Sequence, residues 1–141
     1  MGPIFIEAAE STGVTLAVGH VERYNAIVEK AKECIDNGDW GTILTLSAKR
    51  FSSYPSRIRD VGVLFDLTIH DVDVINYLVN SPVKNVYAAG GKLMNGPYED
   101  HVNLVMGFED GRIGLCETNW LTPMKVRALY ITTTDCYVSL N

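Results

Sequence analysis

The chain has 141 residues, 47% of them hydrophobic and 21% charged, with a formal net charge of -5 at pH 7. That is room for one sizeable core in an ordinary globular composition. The acidic balance argues against nucleic acid as a partner, and no apolar run approaches the roughly eighteen residues that a membrane-spanning helix requires. Cys34, Cys116 and Cys136 are widely spaced with no CxxC, which reads as reduced structural thiols in a cytoplasmic protein rather than as a metal site.

Residues 3–12 read as the end of a helix closed by Gly13. The β-branched run Val14-Thr15-Leu16-Ala17-Val18 follows as a strand leading into Gly19-His20. Helix, glycine, strand is the ending of an α/β unit, so the chain reads as beginning partway through something larger. Tyr24, Ile27, Val28, Ala31, Cys34 and Ile35 then recur at helical spacing, with Asn25 as a candidate N-cap and Gly38 as the stop. Residues 42–50 alternate, placing Leu44, Leu46 and Ala48 on one face of a half-buried strand.

The segment around residues 64–79 carries the chemistry. At about 100° per residue, Leu64, Phe65, Leu67, Val72, Val74, Ile75, Leu78 and Val79 fall on one side of a helix, and Asp66, His70, Asp73 and Tyr77 on the other. A carboxylate four residues before a histidine can orient and polarise the imidazole, so Asp66 and His70 are candidates for proton transfer. A solvated polar face is the plainer reading of the same pattern. Asp71 falls among the core positions, where a charge must be paired with a backbone amide or an arginine.

Arg57 and Arg59, in the loop before that helix, have the forked donors suited to a diphosphate, although ordinary surface arginines look the same. Tyr54 could stack on a base or sugar, or simply be an exposed loop tyrosine. After residue 79 the pattern is strands alone: 83–89, 101–108, 113–121, 126–133 and 137–140. Glu109-Asp110-Gly111-Arg112 reads as a type I′ hairpin turn, and Glu99-Asp100-His101 as a solvated strand start. Helices early and a meander late indicate an α+β fold, an open and largely antiparallel sheet with helices on one face.

Taken in order, four stretches resemble one family. They are Ala17-Val18-Gly19-His20-Val21-Glu22-Arg23-Tyr24-Asn25, Gly38-Asp39-Trp40-Gly41-Thr42-Ile43, Asp66 with His70-Asp71-Val72-Asp73, and Glu99-Asp100-His101 opening a strand that ends in Phe108-Glu109-Asp110-Gly111. The set resembles the C-terminal half of the Gfo/Idh/MocA family of NAD(P)-dependent sugar oxidoreductases, a fold like the C-terminal domain of glyceraldehyde-3-phosphate dehydrogenase. Residues 19–25 (GHVERYN) and the loop 54–62 (YPSRIRDVG) look closest to the UDP-N-acetylglucosamine 3-dehydrogenase branch. The resemblance implies that residues 1–19 end the dinucleotide-binding domain and that residues 20–141 form the substrate-binding and oligomerisation domain. It gives Asp66 and His70 the family's aspartate and histidine roles, His70 acting as acid/base on a sugar hydroxyl. Substrate contacts are expected from Arg57, Arg59, Tyr54, His20, Arg23 and Asn25, the last three at the junction that borders the nicotinamide cleft in a full-length relative, with Asn25 serving equally well as a cap alone.

The sequence lacks GxGxxG and the Glu-Lys-Pro that carries the family's lysine. The Rossmann half is therefore expected to be absent, with NAD or NADP bound by the full-length enzyme and neither bound by this chain, which alone should be inactive. The expected partners are a UDP-N-acetyl sugar or another small sugar and a second copy of the chain meeting it through the sheet face. A non-catalytic assembly module that dimerises through that face is the competing reading. The exact sugar, the choice of NAD or NADP and the number of subunits are not written in these residues.

Overall fold

The computed structural model describes residues 2–56, 58, 60–94 and 96–141. Helix α1 spans Gly2–Thr12 and ends at Gly13, whose φ of 67° supplies the left-handed turn that closes it. A 3-10 turn, Val21–Tyr24, leads into α2, Ala26–Asp36. Strand β1 is Ile43–Ser53; a π-helical turn, Leu64–Thr68, then runs directly into α3, Ile69–Val79. Strands β2 (Val83–Gly91), β3 (His101–Phe108), β4 (Ile113–Asn119), β5 (Leu121–Thr133) and β6 (Tyr137–Leu140) complete one six-stranded sheet in the order β2-β3-β4-β1-β5-β6. Every neighbouring pair is antiparallel except β1 and β4. The α+β class and the mostly antiparallel open sheet are as the residue pattern indicates.

The core lies between one sheet face and helices α2 and α3. Leu46 and Ala48 of β1, Val102, Leu104, Met106 and Phe108 of β3, Cys116 of β4 and Leu129 and Ile131 of β5 pack against Val28 and Ala31 of α2 and Val74, Ile75, Leu78 and Val79 of α3. The α3 helix approaches so closely that a Cβ on Gly114 would lie 2.7 Å from Ile75 Cγ2, so glycine sets that contact.

Four expectations change. Residues 14–18 join no strand ladder, because the sheet's edges are β2 and β6 and neither takes them as a neighbour. The ladder slips between Ile43 and Thr45, which turns Ile43 into the core and Leu44 out. In the hairpin only Gly111 has positive φ, and the Phe108 carbonyl accepts from the Gly111 amide. That is the three-residue loop with a bulge, not type I′. Asp100 is not solvated: it is fully buried, accepting from the amides of Leu93 (2.9 Å) and Met94 (2.7 Å) and from His101 Nδ1 (2.9 Å). Glu99 beside it accepts from the Leu64 amide at 3.2 Å, holding the start of the π turn.

Candidate active site

The chain leaves β4 at Asn119, turns through Trp120 and enters β5 on the far side of β1, so it crosses the end of β1. Beside this crossover lies a cleft of about 430 Å³. Phe51 to Pro55 form one side, Trp120, Lys125 and Arg127 another, and Asp66 and Leu67 of the π turn a third. Tyr54 meets Trp120 edge-to-face with centroids 5.4 Å apart, a rigid aromatic corner.

The π turn rotates the pattern that a straight α-helix would give, because each of its turns takes more residues. Phe65, expected on the core face, is 67% exposed, and Ile69 also faces outward. Asp66 lines the cleft, and His70 follows it half-buried in the first turn of α3. Among the described residues no hydrogen bond joins the two. Asp73, expected on the polar face, is buried, with Arg23 donating from Nε at 2.8 Å and from Nη2 at 2.5 Å, and His20 Nδ1 at 3.2 Å. Arg23 also covers the Tyr77 ring at 5.1 Å. His20 and Arg23 thus pin the incoming segment to α3, and Asn25 caps α2 by accepting from the Ile27 amide at 3.1 Å. Tyr54 is on the cleft; Arg57 and Arg59 lie outside the described residues.

Asp71 finds an arginine. Arg50 and Asp71 are each 7% exposed, and Arg50 donates to Asp71 from Nε (3.0 and 3.1 Å) and Nη2 (2.7 Å). Its Nη1 reaches Glu22 Oε1 at 3.0 Å, and Arg127 approaches the same oxygen at 3.7 Å. Burial raises the Asp71 carboxyl above its usual range despite Arg50. Burial pushes Glu22 up as well, but the bonds and charge of Arg50 outweigh this and leave it lowered. The network ties the 3-10 turn, β1 and α3 together directly behind the cleft.

Arg50, Lys125 and Arg127 escaped the reading of the sequence. Arg50 was nonetheless readable, because it continues the buried series Leu46, Ala48, Arg50, and a charge on an apolar face must find a partner. Lys125 and Arg127 gave no such signal.

The Gly90-Gly91 pair and the start of α2 do not form the phosphate-binding turn that the NAD or NADP implied by the resemblance would use. Gly90 and Gly91 end strand β2 rather than opening a helix, and a Cβ on Gly90 would lie 2.5 Å from the His101 carbonyl oxygen. The Ile27 amide at the start of α2 is already taken by Asn25. Among the described residues no helix is long and apolar enough to cross a membrane.

The GFO/IDH/MocA C-terminal domain model matches residues 28–138. The uncharacterized oxidoreductase YrbE of Bacillus subtilis is 30% identical over 123 residues, 81% of this chain and 36% of that protein. The myo-inositol 2-dehydrogenase of Thermotoga maritima is 27% identical over 123 residues, 81% of this chain and 37% of that protein. The solved WlbA dehydrogenase from Bordetella pertussis, in complex with NADH and UDP-GlcNAcA, matches with a TM-score of 0.84 at 25% identity, covering 95% of this chain and 45% of that one. The chain therefore spans little more than a third of the length of the two curated relatives. On the fold, the ordered residue pattern and the match over residues 28–138, the chain belongs to the GFO/IDH/MocA family, of which it carries the C-terminal domain.

Proposed function

We propose that this domain holds the sugar substrate of an NAD(P)-dependent oxidoreductase and supplies the acid–base pair for oxidising a sugar hydroxyl. Residues 1–19 close the dinucleotide-binding domain in this reading, and residues 20–141 form the substrate and oligomerisation domain. The observation that carries it is the cleft at the β1 crossover, where Asp66 and Tyr54 form walls one turn before His70 on a helix fixed by buried ion pairs. His70 takes the proton of the reacting hydroxyl, and Asp66 lowers the cost of the imidazolium that forms. Closing the gap between Asp66 and His70 is left to the substrate complex, where catalytic hydrogen bonds commonly tighten. The oxidant is held outside these residues, so the 141-residue chain alone turns over no sugar.

The substrate we favour is a UDP-N-acetyl sugar oxidised at C3, supported by the likeness to the Bordetella WlbA dehydrogenase; the inositol dehydrogenase of Thermotoga stands for the alternative of a neutral polyol. The test is turnover by the enzyme that carries this domain, followed by nicotinamide absorbance with UDP-N-acetylglucosamine and with myo-inositol. Turnover of the UDP sugar is expected. Oxidation of inositol alone would overturn the substrate, and oxidation of neither would overturn the assignment.

The second role is assembly. The sheet face away from the helices carries a register row of Tyr87, Val105, Leu115, Ser47 and Tyr130, flanked by Ile113 and Tyr137. Tyr87 is 72% exposed, and Tyr130 stacks on Tyr137 with centroids 6.0 Å apart. An apolar face of this kind is suited to a second copy of the chain.

A further inference from the structure

Strand β5 departs from its ladder at the mouth of the cleft. Phe51 pairs with Val126 and Ser53 with Leu121, so the single residue Ser52 faces the four residues 122–125. Such a bulge re-aims side chains beside a site. Its start is pinned: Asn119 Oδ1 accepts from the amides of Leu121 (3.0 Å) and Thr122 (3.1 Å) and from Thr122 Oγ1 (2.8 Å). Pro123 within it limits the backbone further. The bulge ends on Lys125, which lines the cleft together with Arg127 two residues on.

The charges around this wall do not cancel. Arg50 and Arg127 are direct cross-strand partners, an arrangement that costs stability unless it is offset. Asp71 and Glu22 offset it, with both Asp71 oxygens committed to Arg50 and Glu22 shared between the two arginines. Lys125 forms no ion pair among the described residues. Around this wall Arg50 of β1 with Lys125 and Arg127 of β5 make three cations against the two carboxylates of Glu22 and Asp71, while Asp66, which forms no ion pair among the described residues, lines the cleft from the π turn. Among the described residues, an anionic group entering the cleft is disfavoured beside Asp66 and favoured beside Lys125 and Arg127.

We propose that Lys125 and Arg127 form an anion subsite that receives a carboxylate or phosphate of the sugar substrate and so turns its neutral hydroxyls toward Asp66 and His70. The proposal rests on the cleft being the substrate site. It makes charge, rather than ring shape alone, the determinant of which sugar is held.

The test uses the 141-residue chain with Trp40→Phe, so that Trp120 in the cleft wall is its one tryptophan and its fluorescence follows occupancy. Glucuronate, UDP and myo-inositol are the probes. A charge-assisted contact should make an anionic probe bind on the order of tenfold more tightly than inositol. High salt should erase that gain. Lys125→Met, at an exposed position, should erase it too with an unchanged circular dichroism spectrum, whereas Lys125→Arg should keep it. A gain with glucuronate assigns the subsite to a carboxylate, and a gain with UDP assigns it to a diphosphate. Equal binding of inositol and both anions, or a gain that survives Lys125→Met, overturns the subsite and leaves the cleft standing. No response of Trp120 to any probe overturns the cleft and the subsite together.

Discussion

Replacing Arg50 with methionine tests whether the buried network holds the site together. The substitution removes three contacts to Asp71 and one to Glu22, leaving a carboxylate 7% exposed without a cation. Breaking one partner of a buried pair costs about 3–5 kcal/mol. Against a total stability of about 5–15 kcal/mol that is a large fraction. Replacing both partners, Arg50→Met with Asp71→Leu, removes the orphaned charge and should restore most of the loss. The cost should also depend on pH. A buried carboxyl with a raised pKa binds its proton more readily folded than unfolded, so stability falls as pH rises through the interval above its ordinary value of about 4. Without Arg50 that interval widens, and the variant should suffer less at mildly acidic pH than at neutrality. Urea unfolding of the two variants and the parent, at both pH values, measures all of this. A single variant losing under about 1 kcal/mol, or a double variant no more stable than the single, would refute the reasoning.

Asp100→Asn should cost about 1–3 kcal/mol in the same unfolding measurement, since one carboxylate serves two amides and His101. Burial pushes the Asp100 carboxyl up, yet His101 and those amides more than offset it and leave it below its usual range. Its contribution is therefore complete above about pH 4 and fades as pH falls below that, so the variant should flatten the acid limb of the stability profile. Burial, with Asp71 adding, pushes the Cys116 thiol up to about 12. Iodoacetamide near neutral pH should consequently label exposed Cys136 and spare Cys116 in mass spectra, and early labelling of Cys116 would contradict its placement. Leu115→Glu, on the open sheet face, should convert an oligomer into a monomer by light scattering, because a specific interface there should bury more than ~1,000 Å². A parent that is already monomeric at high concentration would remove the assembly role.

Strands β3 and β4 were legible because they keep period-two alternation, as in Val102, Leu104, Met106 and Phe108, which no helix would produce. The parallel pairing of β1 and β4 was not, since it is created by a crossover whose partners lie some seventy residues apart in the chain. In the candidate site, the pairing demanded by Asp71 could be foreseen from a helical wheel, and Arg50 satisfied it. The outward turn of Phe65 could not, because a single π turn leaves composition and spacing unchanged while rotating every residue before it. Lys125 was hidden for a similar reason: its position depends on a bulge set by the Asn119 side chain, not on any motif of its own. Asp100 was misread as solvated because an acidic residue at a strand start has the same sequence whether it meets water or two backbone amides.

The most direct measurement is turnover of a UDP-N-acetyl sugar by the enzyme that carries this domain, with His70 replaced by alanine. His70 is half-buried in the first turn of α3 and holds no structural ion pair among the described residues, so the fold should survive. A fall on the order of 10²–10⁴ in kcat, with unchanged unfolding, is expected for a positioned acid–base group. Undiminished turnover would contradict the catalytic role and leave a domain that only binds and assembles.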